Sequence, residues 1–288
     1  MTAQSARLGD GRLHLNHGPI DLIIEAFGER AEIEAAYDQA WARFPSILPE
    51  LTAELPVLRR PVGQAMPELA GPVARRMAEA VWPFRGRFIT PMAAVAGAVA
   101  EEMLAALIAG RRLAKAYVND GGDIALHLQE GAHLDIGVVR ELSVARPEAY
   151  VRIATSDPVR GVATSGRQGR SFSLGIADAV TVLAKDAPTA DVAATLIANA
   201  VDAQDPAIVR KAARELDPDS DLLDLPVTIA VGPLSQATIA KALAAGEARA
   251  EALIADGLIA GVLISLRSEW RSLGAARSAL SASRRISS

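Results

Sequence analysis

The sequence contains no cysteine. That absence excludes disulfides, thiolate metal sites and cysteine nucleophiles together. Histidine is scarce, at four residues, and none follows His133. His14 and His17 flank a turn signal, with no other ligand-type residues near them in sequence, and read as turn and surface histidines. Aromatic residues make up only 4% of the chain although half of it is apolar. The interior must therefore be built from small aliphatic side chains, alanine above all, which suits closely packed helices on a sheet. Positive charge is in slight deficit, giving a net charge of −4. No general polyanion-binding surface is implied, nucleic acid is not an expected partner, and any phosphate contact must be local. Residues 1–9 lack the apolar core of a signal peptide. The most apolar long segment, 91–109, is interrupted by Glu101 and Glu102 and uses alanine more than leucine. It reads as a buried helix and not as a membrane span. A cytoplasmic protein without a membrane partner is the expectation.

What is present centres on residues 117–127, Tyr-Val-Asn-Asp-Gly-Gly-Asp-Ile-Ala-Leu-His. Apolar runs enter and leave it. The adjacent Gly121 and Gly122 permit positive φ and a close approach by another group. Asn119, Asp120 and Asp123 are the residue types that hold tight turns through side-chain to backbone hydrogen bonds. Residue types favour a hairpin turn. The other reading is a ligand-facing loop, with glycine backbone against a planar or phosphorylated ligand and Asp123 as its polar anchor.

The chain of 288 residues can hold one large domain or two small ones. Apolar runs at 12–15 and 20–27 predict an opening hairpin. Helical spacing over 29–44 predicts a helix ended by Pro45 and Pro49. An irregular excursion over 51–67 and a second amphipathic helix over 68–81 follow. Thr90 before Pro91 is a helix-start signal, a hydroxyl N-cap followed by proline at the first helical position. The helix it opens reaches about Leu107 and ends near Gly110. Its small residues, with Gly97 as the smallest point, would let a backbone or a ligand come very close. Its free N–H groups would attract phosphate. Strands are expected at 134–138, 150–154, 176–184, 227–231 and 258–266, and helices at 186–201, 207–216 and 235–255. The residues 162–166, Val-Ala-Thr-Ser-Gly, place Thr164, Ser165 and Gly166 at a strand end as candidate ligand contacts. The polar run 167–171 after them has the composition of a mobile loop with two cations. Ser165 lacks the Gly-x-Ser-x-Gly elbow and any later histidine, so a serine hydrolase is not indicated. Asp191 and Thr195 are four apart on one helix face and suit Mg²⁺, which prefers oxygen ligands. An acid early in a helix is also favoured by the helix dipole alone.

Helices and strands intermingle without a regular βαβ period, which predicts an α+β or layered α/β domain with a largely antiparallel sheet packed with helices. No composition break marks a second domain, so residues 1–271 read as one domain and the Ser/Ala/Arg-rich residues 272–288 as a frayed tail. Alanine-rich helix faces make a homodimer compatible with the sequence.

Four motifs in this order, Asn119-Asp-Gly-Gly-Asp123, Val162-Ala-Thr-Ser-Gly166, Ala179-Val-Thr-Val182 and Ala190-Asp-Val-Ala-Ala-Thr195, resemble the ApbE-like superfamily. Its best-known members are FAD:protein FMN transferases. The resemblance is greater to an uncharacterised branch, through Ile20-Asp-Leu22, Pro91-Met-Ala-Ala-Val-Ala-Gly97 and Ser173-Leu-Gly-Ile-Ala-Asp178, and it covers most of the chain. It implies a T-fold-related architecture. It also implies a pocket for FAD lined by Asn119, Gly121, Gly122, Asp123, Thr164, Ser165 and Gly166, and Mg²⁺ held by Asp191 and Thr195; Thr90, from its place at the helix start, is a further candidate cofactor contact. The chain departs from the transferases in two places. The helix ahead of the Gly-Gly-Asp loop lacks their Lys-Gly-Tyr-Ala-x-Asp stretch. Ser171-Phe-Ser-Leu-Gly175 stands where they have His-x-x-Asp-Pro-x-x-Gly. Three readings follow. One is a Mg²⁺-dependent enzyme binding a flavin nucleotide or another phosphorylated small molecule, with FMN transfer as its best-specified form. A second is a binding or carrier module that has lost transfer. The third is an enzyme acting on a small acid with Asp123 and Asp178 as an acid–base pair, which requires the two within about 10 Å.

Overall fold

The computed structural model describes residues 2–138, 149–169 and 171–276. The expected opening hairpin forms from β2 (Leu13–His17) and β3 (Ile20–Gly28), whose strict buried/half-buried alternation puts Leu13, Leu15, Leu22 and Ile24 on one face. A strand that periodicity did not reveal precedes them, β1 (Gln4–Arg7), with every residue exposed. Then come α1 (Arg30–Leu58), α2 (Pro72–Val81) and α3 (Val95–Ile108), the last entered through a 3₁₀ turn at Pro91–Ala94. Next are the strands β4 (Leu113–Asp120), β5 (Asp123–Leu128), β6 (His133–Val138), β7 (Ala149–Ala154), β8 (Gly161–Ser165) and β9 (Ala179–Ala184). The chain continues as α4 (Ala187–Ala200), β10 (Ile208–Ala212), α5 (Ala213–Leu216), β11 (Pro226–Val231), α6 (Gln236–Ala255), β12 (Gly261–Leu266) and β13 (Glu269–Gly274). The strand pairs are antiparallel and helices pack on them, as the mixed α/β expectation required.

The helix expected to stop at Pro45 instead runs 29 residues to Leu58 with Pro45, Pro49 and Pro56 inside it. The irregular excursion expected from residue 51 is therefore helical in its first part. All three prolines are exposed. The carbonyls they leave without a helical donor belong to Trp41, Pro45 and Thr52, which are also exposed and reachable by water. On the opposite side Phe44, Ile47, Leu51 and Leu58 are buried. Each such side chain contributes roughly 1.5–3 kcal/mol, enough together to offset interior prolines at about 3 kcal/mol each.

Two further corrections fall late in the chain. The short helix expected over 207–216 is mostly strand, because β-branched Ile208 and Val209 pair with β11, and only Ala213–Leu216 is helical. β13 takes the first three residues of the segment expected to fray and buries Leu273 there. The turn-rich segment expected after β6 lies largely outside the described residues.

The chain separates into two compact units, each discontinuous in sequence. The first comprises residues up to Leu134 with Ala154–Val162 and Lys185–Val192. Here the strand order is β1-β2-β3-β4-β5, followed by the start of β8, whose Gly161 and Val162 pair with Ala125 and Ile124. The helices α1 and α3 cover the face that carries Leu15, Leu22, Ile24, Ala116 and Val118. Residues 91–108 are long and apolar enough, by length and composition, to cross a membrane. In the fold Ala98, Val99, Met103, Leu104 and Leu107 of this stretch are buried. The second unit holds the remaining described residues. Here the end of β8 is followed by β9, β12 and β13, α6 packs on β12 and β13, and β10 pairs with β11.

Candidate functional site

The Gly-Gly-Asp stretch is the tight hairpin that its residue types favoured. Asp120 and Asp123 are cross-strand partners, and only Gly121 and Gly122 lie between them. Their φ values of +64° and +116° are those of the turn that matches strand twist and demands positive φ at both central positions. The Asn119 carboxamide oxygen accepts the Gly122 N–H at 2.8 Å and fixes the loop. Both carboxylates are buried, at 7% exposure for Asp120 and 9% for Asp123, and they share the sheet face turned toward α3 with Val118 and Ala125.

The other half of this arrangement comes from α4. The helix is capped by Asp186, whose carboxylate accepts the Thr189 N–H at 2.8 Å. The dipole-favoured acid at this helix start is thus Asp186, and Asp191 stands a turn further in. Asp191 reaches across to the start of α3 and accepts the Gly97 N–H at 3.1 Å, with a second hydrogen bond from the Ala96 backbone. Thr90 stands where a cap was expected, but its hydroxyl makes no capping bond. Its carbonyl instead accepts the Ala93 N–H at 3.1 Å, forming the 3₁₀ turn, and Thr90 itself is buried. The anion drawn to the start of α3 is therefore a carboxylate of the chain itself, where the sequence suggested a phosphate.

This contact needs Gly97. A Cβ there would lie 2.5 Å from the Ala187 carbonyl oxygen and 2.9 Å from the Pro188 Cα. The close approach that the small residues foretold is made by another backbone. The arrangement is reciprocal, because Glu101 of α3 accepts the Ala187 N–H at the first turn of α4, at 3.2 Å. Each helix thus supplies an acid to the other's orphan N–H groups.

Both acids bear the consequence. Burial, with Asp186 nearby, raises the Glu101 carboxyl above its ordinary range. Burial and the neighbouring Asp120 charge push Asp191 up to about 7, against the lowering effect of its hydrogen bonds. Asp191 keeps partial exposure as a residue, while its carboxyl group is enclosed. A cation beside Asp191 and Asp120 would relieve this strain. Thr195 follows one turn later on α4, half-exposed. Among the described residues no group of three or more His, Asp or Glu side chains is placed to hold a metal. A bound ion would therefore draw on hydroxyl, backbone or substrate oxygens as well.

In the second unit, Thr164, Ser165 and Gly166 close β8. The Thr164 hydroxyl lies 2.9 Å from the Thr181 hydroxyl of β9. Gly166 has φ +150°, and a Cβ there would sit 2.5 Å from the Asp178 carbonyl oxygen. Asp178 is buried at 5% exposure. One of its carboxylate oxygens is paired with Arg167 and the other accepts the Arg267 N–H. Those are the surroundings of a carboxylate that holds other groups in place.

Thus Asn119, Gly121, Gly122, Asp123, Thr90 and Asp191 lie in the first unit, while Thr164, Ser165, Gly166, Asp178 and Thr195 lie in the second. The sequence reading gave no role to Asp120 as a neighbour of Asp191, or to Glu101 as a cap. A signal for each existed: Asp120 is paired with Asp123 by any two-residue turn, and Glu101 is an acid inside an apolar run.

Comparison with known proteins follows the same direction. The chain is 30% identical over 210 residues to a UPF0280 protein of Methanothermobacter thermautotrophicus, covering 71% of this chain and 72% of that one. It is 39% identical over 114 residues to a UPF0280 protein of Archaeoglobus fulgidus, of whose length it spans 45%. Among solved structures it is similar to a flavin transferase ApbE from Vibrio cholerae, with TM-score 0.44 and 13% identity over 91% of this chain and 96% of that one. With a score that low, family membership rests on sequence. The family model described as AbpE bacteria matches residues 4–274, and the chain belongs to that family.

Proposed function

We propose that the protein is a Mg²⁺-dependent enzyme binding a flavin nucleotide or another phosphorylated small molecule, with transfer of FMN as the most specific form of the reading. The observation that carries it is the placement of Asp191. It is enclosed, oriented by two backbone N–H groups, and set beside Asp120 at the base of the Gly-Gly hairpin. Asp191 and Thr195 would hold the ion, and the ion would neutralise charge on the phosphate that leaves when a pyrophosphate bond is broken, which for transfer of FMN from FAD is the phosphate of AMP. The Gly121–Gly122 backbone, free of Cβ atoms, would leave room for a planar group. Asn119 keeps that turn in shape. In the second unit, Thr164, Ser165 and Gly166 are candidate ligand contacts in their own right.

One observation favours a second reading. The Gly97–Asp191 hydrogen bond gives Asp191 a capping role that needs no metal, and with the missing lysine and histidine motifs it suits a binding module without transfer. Isothermal titration with FAD, with and without Mg²⁺, separates the two. Metal-dependent micromolar binding, lost in Asp191→Asn while the fold is kept, supports the enzyme reading. Binding that ignores both the metal and the substitution supports the module. Absence of FAD binding removes the flavin from either.

A further inference from the structure

The loop after β8 carries a cation to which neither the family motifs nor the proposed reaction gives a role. Arg167 follows Gly166, and its guanidinium pairs with Asp178. Asp178 cannot move freely, because its second oxygen accepts the backbone N–H of Arg267. Arg267 is itself fixed. It adopts a left-handed φ of +58°, and its side chain donates to the carbonyls of Val231 and Gly232, each at 2.6 Å. A rigid chain of contacts thus runs from the turn between β12 and β13 through Asp178 to Arg167. The Arg167 backbone is pinned as well, its N–H donating to the Ala177 carbonyl at 2.9 Å.

Among the described residues only part of the guanidinium finds a partner. The Arg167 Nε is buried and has no acceptor among the described residues, yet the side chain keeps 22% exposure. A buried donor left without a partner is destabilising, and the exposed part of the side chain is open to an anion. The planar fork of arginine is suited to phosphate and carboxylate oxygens. Two residues earlier, the half-exposed Ser165 offers a hydroxyl on the same loop.

We infer that Arg167, held by Asp178, is the anion-recognising residue of the loop after β8, and that it takes a phosphate-type group of the ligand. This deepens the proposed function and rests on its view that the 164–166 segment faces a ligand. Arg167 would touch the ligand, whereas Asp178 is a positioning residue that acts through it.

The test is isothermal titration of the full chain with inorganic pyrophosphate in the absence of metal. Wild type is expected to bind, and Arg167→Gln to bind about 10- to 100-fold more weakly, the range of one charge-assisted hydrogen bond. Arg167→Lys should fall between them, keeping the charge and losing the fork. Asp178→Asn still offers an oxygen to the Arg267 N–H and should weaken binding less than Arg167→Gln. Guanidinium ion added to Arg167→Ala should restore binding, which a purely structural arginine would not allow. Thermal melts establish that each variant folds, and if Arg167→Gln does not, Arg167→Lys and the guanidinium rescue decide. Wild type that fails to bind pyrophosphate overturns the inference, as does a folded Arg167 variant that binds like wild type. Arg167-dependent pyrophosphate binding without FAD binding would keep this subsite and discard the flavin. Metal-dependent FAD binding indifferent to Arg167 would do the reverse.

Discussion

Gly97 and Asp191 concentrate at two residues what the first unit depends on. Placing a methyl group at Gly97 drives a carbon to 2.5 Å from a carbonyl oxygen that belongs to backbone and has little freedom to yield. Gly97→Ala should therefore destabilise the protein by about 1–3 kcal/mol, the usual cost of overpacking, measurable as a lower denaturant midpoint. Asp191 makes a prediction about pH. Its carboxyl is raised from 3.8 to about 7 in the fold, so ionising it disfavours the folded state. Its favourable contribution is complete below its unfolded pKa and is lost as pH rises through about 7. Metal-free protein should melt at progressively lower temperature as pH is raised from about 5 to about 8. Mg²⁺ should reverse that fall at the upper end, and Asp191→Asn should flatten the profile. A profile that is no flatter in the variant would remove Asp191 as its cause. That Asp191 and Thr195 lie one turn apart on a single helix was legible from spacing. The identity of the groups that Asp191 meets was not, since Gly97 lies 94 positions away in the chain and no local pattern encodes that distance.

Among the elements, the β4–β5 hairpin shows how far turn chemistry carries. Asp-Gly-Gly-Asp between apolar runs specified both the loop length and the register. The two glycines are not equivalent, however. Gly121, at φ +64°, lies where asparagine is tolerated, whereas Gly122, at φ +116°, lies where side chains are strained. Gly121→Asn should change stability by less than about 0.5 kcal/mol and Gly122→Ala should cost about 1–3 kcal/mol, as read by chemical denaturation. The helix α1 was hidden for the opposite reason. Proline is a local signal that ends helices, and here it is overridden by burial along the far side and by water on the near side. Pro49→Ala should restore a donor to an exposed carbonyl and raise stability by up to about 3 kcal/mol. No gain in the denaturant midpoint would mean that the surrounding helix has already adapted to the ring. β1 was invisible because all four of its residues are exposed and no alternation marks it. β10 was misread because its apolar residues fall at its start, too few to show a period.

For the molecule as a whole, composition bounded the class of fold but could not show two units. The boundaries fall inside β6, β7, β8 and α4 and at the end of β9, so no linker composition announces them. It follows that neither unit can be cut out as one piece. A fragment ending at Leu134 would lack the β8 residues that pair with β5 and the α4 turn that caps α3. Such a fragment should melt without a cooperative transition by circular dichroism, whereas a sharp transition near that of the full chain would show that the first unit needs neither contribution.

The exchange of acids between α3 and α4 bears on how activity is inferred from motifs. A relative that had abandoned metal chemistry altogether would still need an acceptor for the Gly97 and Ala96 N–H groups, and an aspartate on α4 is the residue that supplies it. Selection for a folded chain alone would then preserve the signature that is read as catalytic. In such a relative the aspartate would persist without turnover, and the positions that report on metal chemistry are those, such as Thr195, that the helix junction does not need.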